Sequence, residues 1–249
     1  MKIRSTLLAA SVLLALTACN KPAEAPAAAD APAATEAPAA DAAANADAPA
    51  QPAVAAETGA KANLVEGTDY VLIPDGQPLQ PLDGKVEVVE VFAYWCGHCA
   101  AFEPSVEAWK AKLPDYVRFT PVPLSGGAND TMARVYYAAE TTGMLGKVHP
   151  LMFDGIHASQ AIAPNANADA ILAYLGKKGV DAKTLGEAMN SFAMSARLGQ
   201  GLQFAQRSGV EGTPTIIVNG KYRVLGKSHD DQLQITNALI AREHAAGAQ

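Results

Sequence analysis

The pattern of hydrophobic and polar positions divides the chain into an apolar N-terminus, a long alanine-rich stretch and a region of mixed periodicity. In the last region, residues 86–94 form a nearly continuous β-branched and aromatic run. This run predicts a central strand that is covered on both faces. Apolar positions over 100–113 then recur with helical spacing. The pattern therefore predicts a strand that leads directly into a helix.

The same region continues with an α/β order of elements. An early strand is expected at 70–73 and a third strand at 116–122. Glycine and proline residues then separate short helices, the first with an N-cap at 129–131. These helices are expected at 132–142, 147–157, 168–177, 181–191 and 195–209. An Asn-Gly pair predicts a hairpin over 215–224, and a last helix is expected at 230–244.

The apolar N-terminus has the features of an export signal. Lys2 and Arg4 begin it, and an apolar run of about ten residues follows, which is too short to span a membrane. We therefore predict a signal peptide over 1–18. Residues 16–19, Leu-Thr-Ala-Cys, resemble the lipobox of bacterial lipoproteins, which implies cleavage before Cys19 and acylation of that cysteine. An ordinary secretory signal that happens to contain a cysteine is the alternative.

The alanine-rich stretch is predicted to be a tether. Of the 41 residues at 20–60, 21 are Ala and 6 are Pro, and Val54 is the single branched apolar residue. Such a composition cannot bury enough surface to offset the entropy of ordering, and the prolines interrupt helices. We expect residues 19–60 to be a lipidated, disordered tether and residues 61–249 to form the folded domain.

Composition and charge exclude several classes of function. The net charge is −6 and the pI is near 5.4, which argues against nucleic acid as a partner because phosphate binding needs a basic face. Three cysteines are too few for a disulfide-stapled small domain. An exported, mildly acidic globular protein remains.

Cys96 and Cys99 carry the candidate chemistry. They form a Cys-x-x-Cys sequence between the predicted central strand and the following helix. A helix N-terminus offers unpaired N–H groups and partial positive charge, and both favour a thiolate. We expect Cys96 at an exposed tip as the attacking sulfur and Cys99 beneath it, shielded and able to resolve a mixed disulfide. The pair would itself be the redox centre, with no separate cofactor and no metal.

Other functions of the Cys96-Cys99 pair have less support in the sequence. A zinc site needs further ligands, and the remaining histidines show no paired spacing. Haem attachment needs a histidine where the chain has Ala100. A purely structural disulfide would close so short a loop that it would stabilise little. His149 and His157 are expected to be ordinary, partly buried histidines.

Two segments resemble one known family. Residues 91–99, Val-Phe-Ala-Tyr-Trp-Cys-Gly-His-Cys, resemble the active-site stretch of the thioredoxin superfamily and, more narrowly, of DsbA-type thiol:disulfide oxidoreductases. Residues 212–215, Gly-Thr-Pro-Thr, resemble the cis-proline loop of that family. The resemblance implies an α/β, thioredoxin-like fold with a central mixed β-sheet and an inserted all-helical subdomain at about 128–208.

The resemblance also implies roles for site residues. Thr213 would face the cysteine pair beside a cis Pro214, and Gly97 and His98 would form the dipeptide between the cysteines. Glu90 would act as proton acceptor for the shielded cysteine, directly or through water, and its burial in an apolar strand should raise its pKa. His98, as imidazolium, would favour the thiolate.

The predicted function is the introduction of disulfide bonds into reduced or unfolded exported proteins. The resemblance implies reoxidation by a DsbB-type membrane quinone reductase. Lipidated Cys19 would hold the enzyme at a membrane facing the periplasm. A reductase or isomerase built on the same fold is one alternative. A tethered peptide-binding chaperone module with incidental cysteines is another.

Overall fold

A computed structural model describes residues 60–247. The predicted signal peptide, Cys19 and all but the last residue of the predicted tether lie outside the described residues. The strands are β1 Tyr70–Leu72, β2 Val86–Phe92, β3 Val117–Pro123, β4 Thr215–Val218 and β5 Tyr222–Val224. The helices are α1 Gly97–Lys110, α2 Thr131–Thr141, α3 Leu145–Phe153, α4 Ala168–Lys177, α5 Ala182–Met189, α6 Phe192–Arg207 and α7 His229–Gly247, and a π-helix, Asp154–Ala158, continues α3.

The five described strands form one mixed sheet in the order β1-β5-β4-β2-β3. Strand β2 is parallel to β3 and antiparallel to β4, so it lies inside the sheet. All of its residues are buried, which confirms the predicted central strand. Val88 packs with Phe102 of α1 and Leu239 of α7 on one face. Val89 packs with Phe204 of α6 on the other.

Strand β2 carries two buried glutamates in very different surroundings. The Glu87 carboxylate accepts hydrogen bonds from the backbone N–H of Leu79 at 2.7 Å and of Gln80 at 3.1 Å. It also pairs with Arg118 at 2.9 Å. Glu90, three residues later, has an odd-numbered separation from Glu87 and therefore faces the other side of the sheet. This second face lies against α1.

Strand β3 forms one edge of the sheet and contains two prolines, Pro121 and Pro123. Just beyond its end, the Leu124 N–H donates to the Phe92 carbonyl of β2 at 2.7 Å. Because alternate N–H groups of a strand point to the same side, those of even-numbered residues face β2. The prolines therefore occupy the positions whose N–H groups would point away from the sheet.

Helices α2 to α6 lie between β3 and β4 in the chain and form a helical layer with its own core. Members of this core are Tyr136, Val148, Met152, Ile171, Leu175, Leu185 and Leu198. Phe92 and Tyr94, at the end of β2 and just after it, belong to the same cluster, so the helical layer contacts the chain immediately before the cysteines. A central mixed sheet with an all-helical insertion is the predicted fold class, which the structure confirms.

Candidate functional site: the Cys96-Cys99 turn

The chain turns sharply between β2 and α1. The Cys96 N–H donates to the Ala93 carbonyl at 3.0 Å, and Cys96 has extended backbone angles, φ −82° and ψ 114°, as the N-cap of α1. Its sulfur accepts a hydrogen bond from the Cys99 N–H at 3.3 Å. The thiol therefore occupies the position that a serine or aspartate side chain takes in an ordinary N-cap. This confirms that a helix N-terminus faces Cys96.

The two thiols, both free, differ in exposure. Cys96 is 7% exposed and Cys99 is 1% exposed. Cys99 is shielded, as predicted. The prediction that Cys96 lies at an exposed tip is wrong in degree, because the loop before β4 covers its sulfur and leaves only a small part of it open. Trp95, by contrast, is 49% exposed directly beside it.

The electrostatic surroundings separate the two thiols further. Burial is the largest single influence on the pKa of Cys96 and raises it. Hydrogen bonds from the Thr213 side chain, from the Cys99 side chain and from the backbone N–H groups of Cys99 and His98 outweigh burial and lower the pKa below its usual value. For Cys99, burial raises the pKa strongly. The two pKa values are therefore separated, so Cys96 is the thiol that ionises first and Cys99 the one that keeps its proton.

The loop before β4 brings Thr213 and Pro214 onto Cys96. The Thr213-Pro214 peptide bond is cis, as the resemblance implies, and the Thr213 carbonyl oxygen lies 3.2 Å from Cys96 Sγ. Strand β4 then pairs antiparallel with β2, with Thr215 opposite Val91, and this pairing fixes the loop beside the cysteine turn. Sequence positions more than a hundred residues apart thus form one site.

An open cavity of about 510 Å³ adjoins the cysteine turn. Its lining includes His98, Thr213, Pro214, Lys227 and His229. His98 is exposed, and its contribution to the Cys96 thiolate in this structure is its backbone N–H. The effect of its imidazole on the thiolate stays a prediction. The cavity is open to the surface beside Pro214, next to the cysteine turn.

Glu90 is buried next to α1, at a second cavity. It is 3% exposed, and within residues 60–247 its carboxyl has no hydrogen bond or ion pair, to either cysteine or to any other group. It lines a cavity of about 590 Å³ together with Glu103, Glu107 and Lys110. Burial, reinforced by the negative charges of Glu103 and Glu107, raises the pKa of Glu90 to about 8. A thiolate on Cys96 raises it further, so the two groups interact electrostatically.

Sequence reasoning missed two histidines that contact this region. Tyr94 precedes Cys96 by two residues, and His149 and His157 both hydrogen-bond to it. His149 also pairs with Glu103, whose side chain faces the Glu90 cavity. Their common partner Tyr94 lies 55 and 63 residues away in sequence, so no local pattern connected them to the cysteine turn.

Metal sites and membrane-spanning helices are the two remaining features of the described part of the chain. Between residues 60 and 247, no group of three His, Cys, Asp or Glu side chains is arranged to hold a metal ion. Over the same residues, no helix combines the length and apolar character needed to cross a bilayer.

Comparison with known proteins identifies the family. The model of the DSBA-like thioredoxin domain matches residues 87–236. The thiol:disulfide interchange protein DsbA of Azotobacter vinelandii is 36% identical over 198 residues, 77% of this chain and 90% of the relative. The crystal structure of oxidoreductase DsbA from Xylella fastidiosa is similar with a TM-score of 0.69 at 40% identity, covering 73% of this chain and 98% of that one. The structure of Pseudomonas aeruginosa DsbA also has a TM-score of 0.69, at 33% identity, covering 75% and 97%.

These matches agree with the cysteine turn, the cis-proline loop and the mixed sheet described above. The family model spans more than half of the chain, and the relatives are matched over most of their own length. The chain therefore belongs to the family of DsbA-like thioredoxin domains and is a thiol:disulfide oxidoreductase.

Proposed function

We propose that this enzyme is an exported oxidase that introduces disulfide bonds into reduced or unfolded proteins through Cys96 and Cys99. The observation that carries the proposal is the Cys96 sulfur at the N-cap of α1, where N–H donors lower its pKa. Stabilising the Cys96 thiolate stabilises the reduced enzyme, and a stable reduced form makes the disulfide form oxidising.

The reaction begins with a disulfide between Cys96 and Cys99. A client thiolate attacks the Cys96 sulfur, the S–S bond breaks, and Cys99 leaves as a thiolate. The raised pKa of Cys99 makes it take up a proton at once. A second client thiolate attacks the client sulfur of the mixed disulfide and Cys96 leaves as a stable thiolate. The client loses two electrons and gains a disulfide, and the enzyme is left as a dithiol.

Glu90 supplies the proton that Cys99 needs. With a pKa of about 8, Glu90 is protonated at neutral pH and can donate to the leaving thiolate, directly or through an intervening water. In the reverse direction it accepts the proton when Cys99 attacks. The open cavity beside Glu90 connects this group to exposed side chains, which gives the proton a route to and from solvent.

The client lies in the cavity beside Thr213 and Pro214. An extended segment there can pair with the backbone of the loop, which gives broad affinity for unfolded chains with little selectivity for side chains. Reoxidation passes the two electrons to a membrane quinone reductase of the DsbB type.

The oxidase proposal is tested by redox titration and client refolding. In glutathione buffers the midpoint should be more oxidising than the roughly −270 mV of thioredoxin. The oxidised enzyme should restore activity to a reduced, unfolded client, whereas Cys96→Ser should not. Cys99→Ser cannot form the disulfide, but when it is mixed with a client that already carries a disulfide, its Cys96 should attack and remain in a mixed disulfide, detectable by mass spectrometry. A midpoint at the thioredoxin value would point to a reductase, and refolding by Cys96→Ser would point to a chaperone.

We place the enzyme in the periplasm, anchored to a membrane by acylated Cys19. Several acyl chains on one residue anchor stably, whereas a single chain is marginal, and the tether would keep the domain near its membrane acceptor. Expression of the full chain should yield protein in the membrane fraction, and Cys19→Ser should move it to the soluble periplasmic fraction. Equal distribution of the two proteins would indicate an ordinary secretory signal.

A further inference from the structure

Two histidines of the helical insertion bind the same residue of the active-site turn. His149 Nδ1 lies 2.8 Å from the Tyr94 hydroxyl. His157 Nε2 lies 2.7 Å from the Tyr94 carbonyl oxygen. Tyr94 is thereby held at its side chain and at its backbone, two residues before Cys96. We call this pair of contacts the Tyr94 clamp.

The π-helix makes the clamp possible. Eight residues at 3.6 per turn would leave two side chains about 80° apart around the helix axis. Between His149 and His157, however, α3 gives way to the π-helix Asp154–Ala158, which the Ser159 N–H closes by donating to the Asp154 carbonyl at 2.8 Å. Its wider turn rotates each residue through a smaller angle, which brings both imidazoles round to Tyr94. Such π-turns occur frequently at functional sites.

The hydrogen bonds of the clamp have a consistent direction. His149 Nε2 lies 3.1 Å from Glu103 Oε1, so a neutral imidazole donates there and accepts the Tyr94 hydroxyl proton at Nδ1. The imidazole is further fixed between Phe92 and Phe153, each with a ring-centre distance of 5.1 Å. Tyr94 itself is 1% exposed, so a hydroxyl without this partner would be buried and unsatisfied.

The clamp acts on the turn that places the Cys96 sulfur. The Cys96 N–H donates to the carbonyl of Ala93, which directly precedes Tyr94. A rotation of the Tyr94 backbone would therefore move Cys96 away from the N–H groups at the start of α1. Hydrogen bonds weaken steeply with distance and angle, so a small displacement changes how well these groups stabilise the thiolate.

We propose that His149 and His157 are positioning residues, which hold Tyr94 and so keep the Cys96 thiolate aligned with the N-terminus of helix α1. The proposal builds on the thiol-exchange function proposed above, because it concerns the reactivity of the same sulfur. It assigns the helical insertion a part in setting that reactivity.

The test compares variants of the full chain by the pKa of Cys96 and by its alkylation rate. His157→Leu removes the donor to the Tyr94 carbonyl, His157→Gln retains a donor, and Tyr94→Phe removes only the hydroxyl contact. We expect His157→Leu to raise the pKa of Cys96, measured by thiolate absorbance near 240 nm, by at least half a unit. Alkylation by iodoacetamide below that pKa should slow by about threefold. His157→Gln should restore both values.

His244→Leu is the matched control. His244 stacks on Tyr116 with 3.7 Å between the ring centres, and neither residue belongs to the clamp. The control variant should leave the pKa and the alkylation rate unchanged. If His157→Leu and Tyr94→Phe lower only the unfolding temperature, the histidines are merely structural and the proposal is overturned. If His157→Leu fails to fold, Tyr94→Phe tests the proposal alone, because it keeps the aromatic ring and loses only the hydroxyl contact. Because these readouts need no client, they can fail while the oxidase proposal stands, and the converse also holds.

Discussion

Glu87 and Glu90 show how the partners of a buried carboxylate decide what it can do. Glu87 has two backbone N–H donors and Arg118, so its charge is compensated and its role is to hold the chain before β2 onto the sheet. Glu90 has no such partner among the described residues, and its charged form is disfavoured. A carboxylate that protonates near neutral pH is suited to proton exchange with a thiol.

Replacing Glu90 should therefore change stability in a pH-dependent way. The pKa of Glu90 is raised from 4.5 to about 8, so the folded protein binds more protons than the unfolded chain between these values and loses stability as pH rises through them. The full penalty, present above pH 8, is on the order of 5 kcal/mol. We expect Glu90→Gln to be more stable than the natural protein at pH 8.5 and close to it at pH 4.5, measured by urea unfolding.

Glu87→Gln provides the contrast at the same strand. It breaks a compensated pair with Arg118 and should be less stable than the natural protein at both pH values, by about 3 kcal/mol at neutral pH. A Glu90→Gln variant that is destabilised at pH 8.5 would contradict the unpaired, proton-exchanging role. Glu90→Gln should also oxidise a client more slowly than the natural protein, and the pH dependence of its rate should be flatter near pH 8.

Among the helices and strands, the sequence predicted those boundaries that nearby residues determine. Helix α4 begins and ends where the pattern places it, at Ala168–Lys177, because the Asn167 side chain caps it by accepting from the Ala170 N–H at 2.9 Å. Asp130 caps α2 in the same way. The central strand was equally visible, since a run of β-branched residues buried on both faces is distinctive.

Other boundaries depend on features that periodicity does not carry. Helix α1 begins at Gly97 rather than at the predicted Ala100, because the cap is a cysteine sulfur and the first turn is polar. Helix α6 begins at Phe192, earlier than predicted, with an apolar side chain that is 97% exposed and breaks the pattern. The π-helix has no local signal, and the Tyr94 clamp depends on it.

The residues of the site also divide into those that local sequence predicts and those that long-range contacts bring in. Cys96, Cys99 and Glu90 could be chosen from one continuous segment, because the strand, the turn and the helix are neighbours in sequence. Thr213 and Pro214 could be assigned only through the resemblance, since a long helical insertion separates them from the cysteines. The small exposure of Cys96 results from that long-range contact, and therefore no local pattern could predict it.

For the whole molecule, the redox state and the folding stability are linked. The lowered pKa of Cys96 means that the folded, reduced protein gains stability from a thiolate that the unfolded chain holds less readily. This gain is complete above the ordinary thiol pKa and disappears as pH falls through the folded pKa. The disulfide form has no thiolate and cannot gain it.

We therefore expect the reduced protein to unfold at a higher temperature than the oxidised protein at pH 7. The difference should shrink on acidification, as calorimetry at a series of pH values would show. Cys96→Ser should lack this pH-dependent difference. Each 1.4 kcal/mol of preference for the reduced form corresponds to about 30 mV in the midpoint. An oxidised protein that is the more stable form would remove the physical basis of the oxidase proposal.

The two prolines of β3 bear on how the outer edge of the sheet meets other polypeptide chains. Unfolded chains aggregate by adding strands to any sheet margin that offers free N–H donors. Pro121 and Pro123 lack those donors where the outer margin of β3 would present them. An added strand would find no N–H donor at these two positions, so edge-to-edge association is disfavoured at this end of β3.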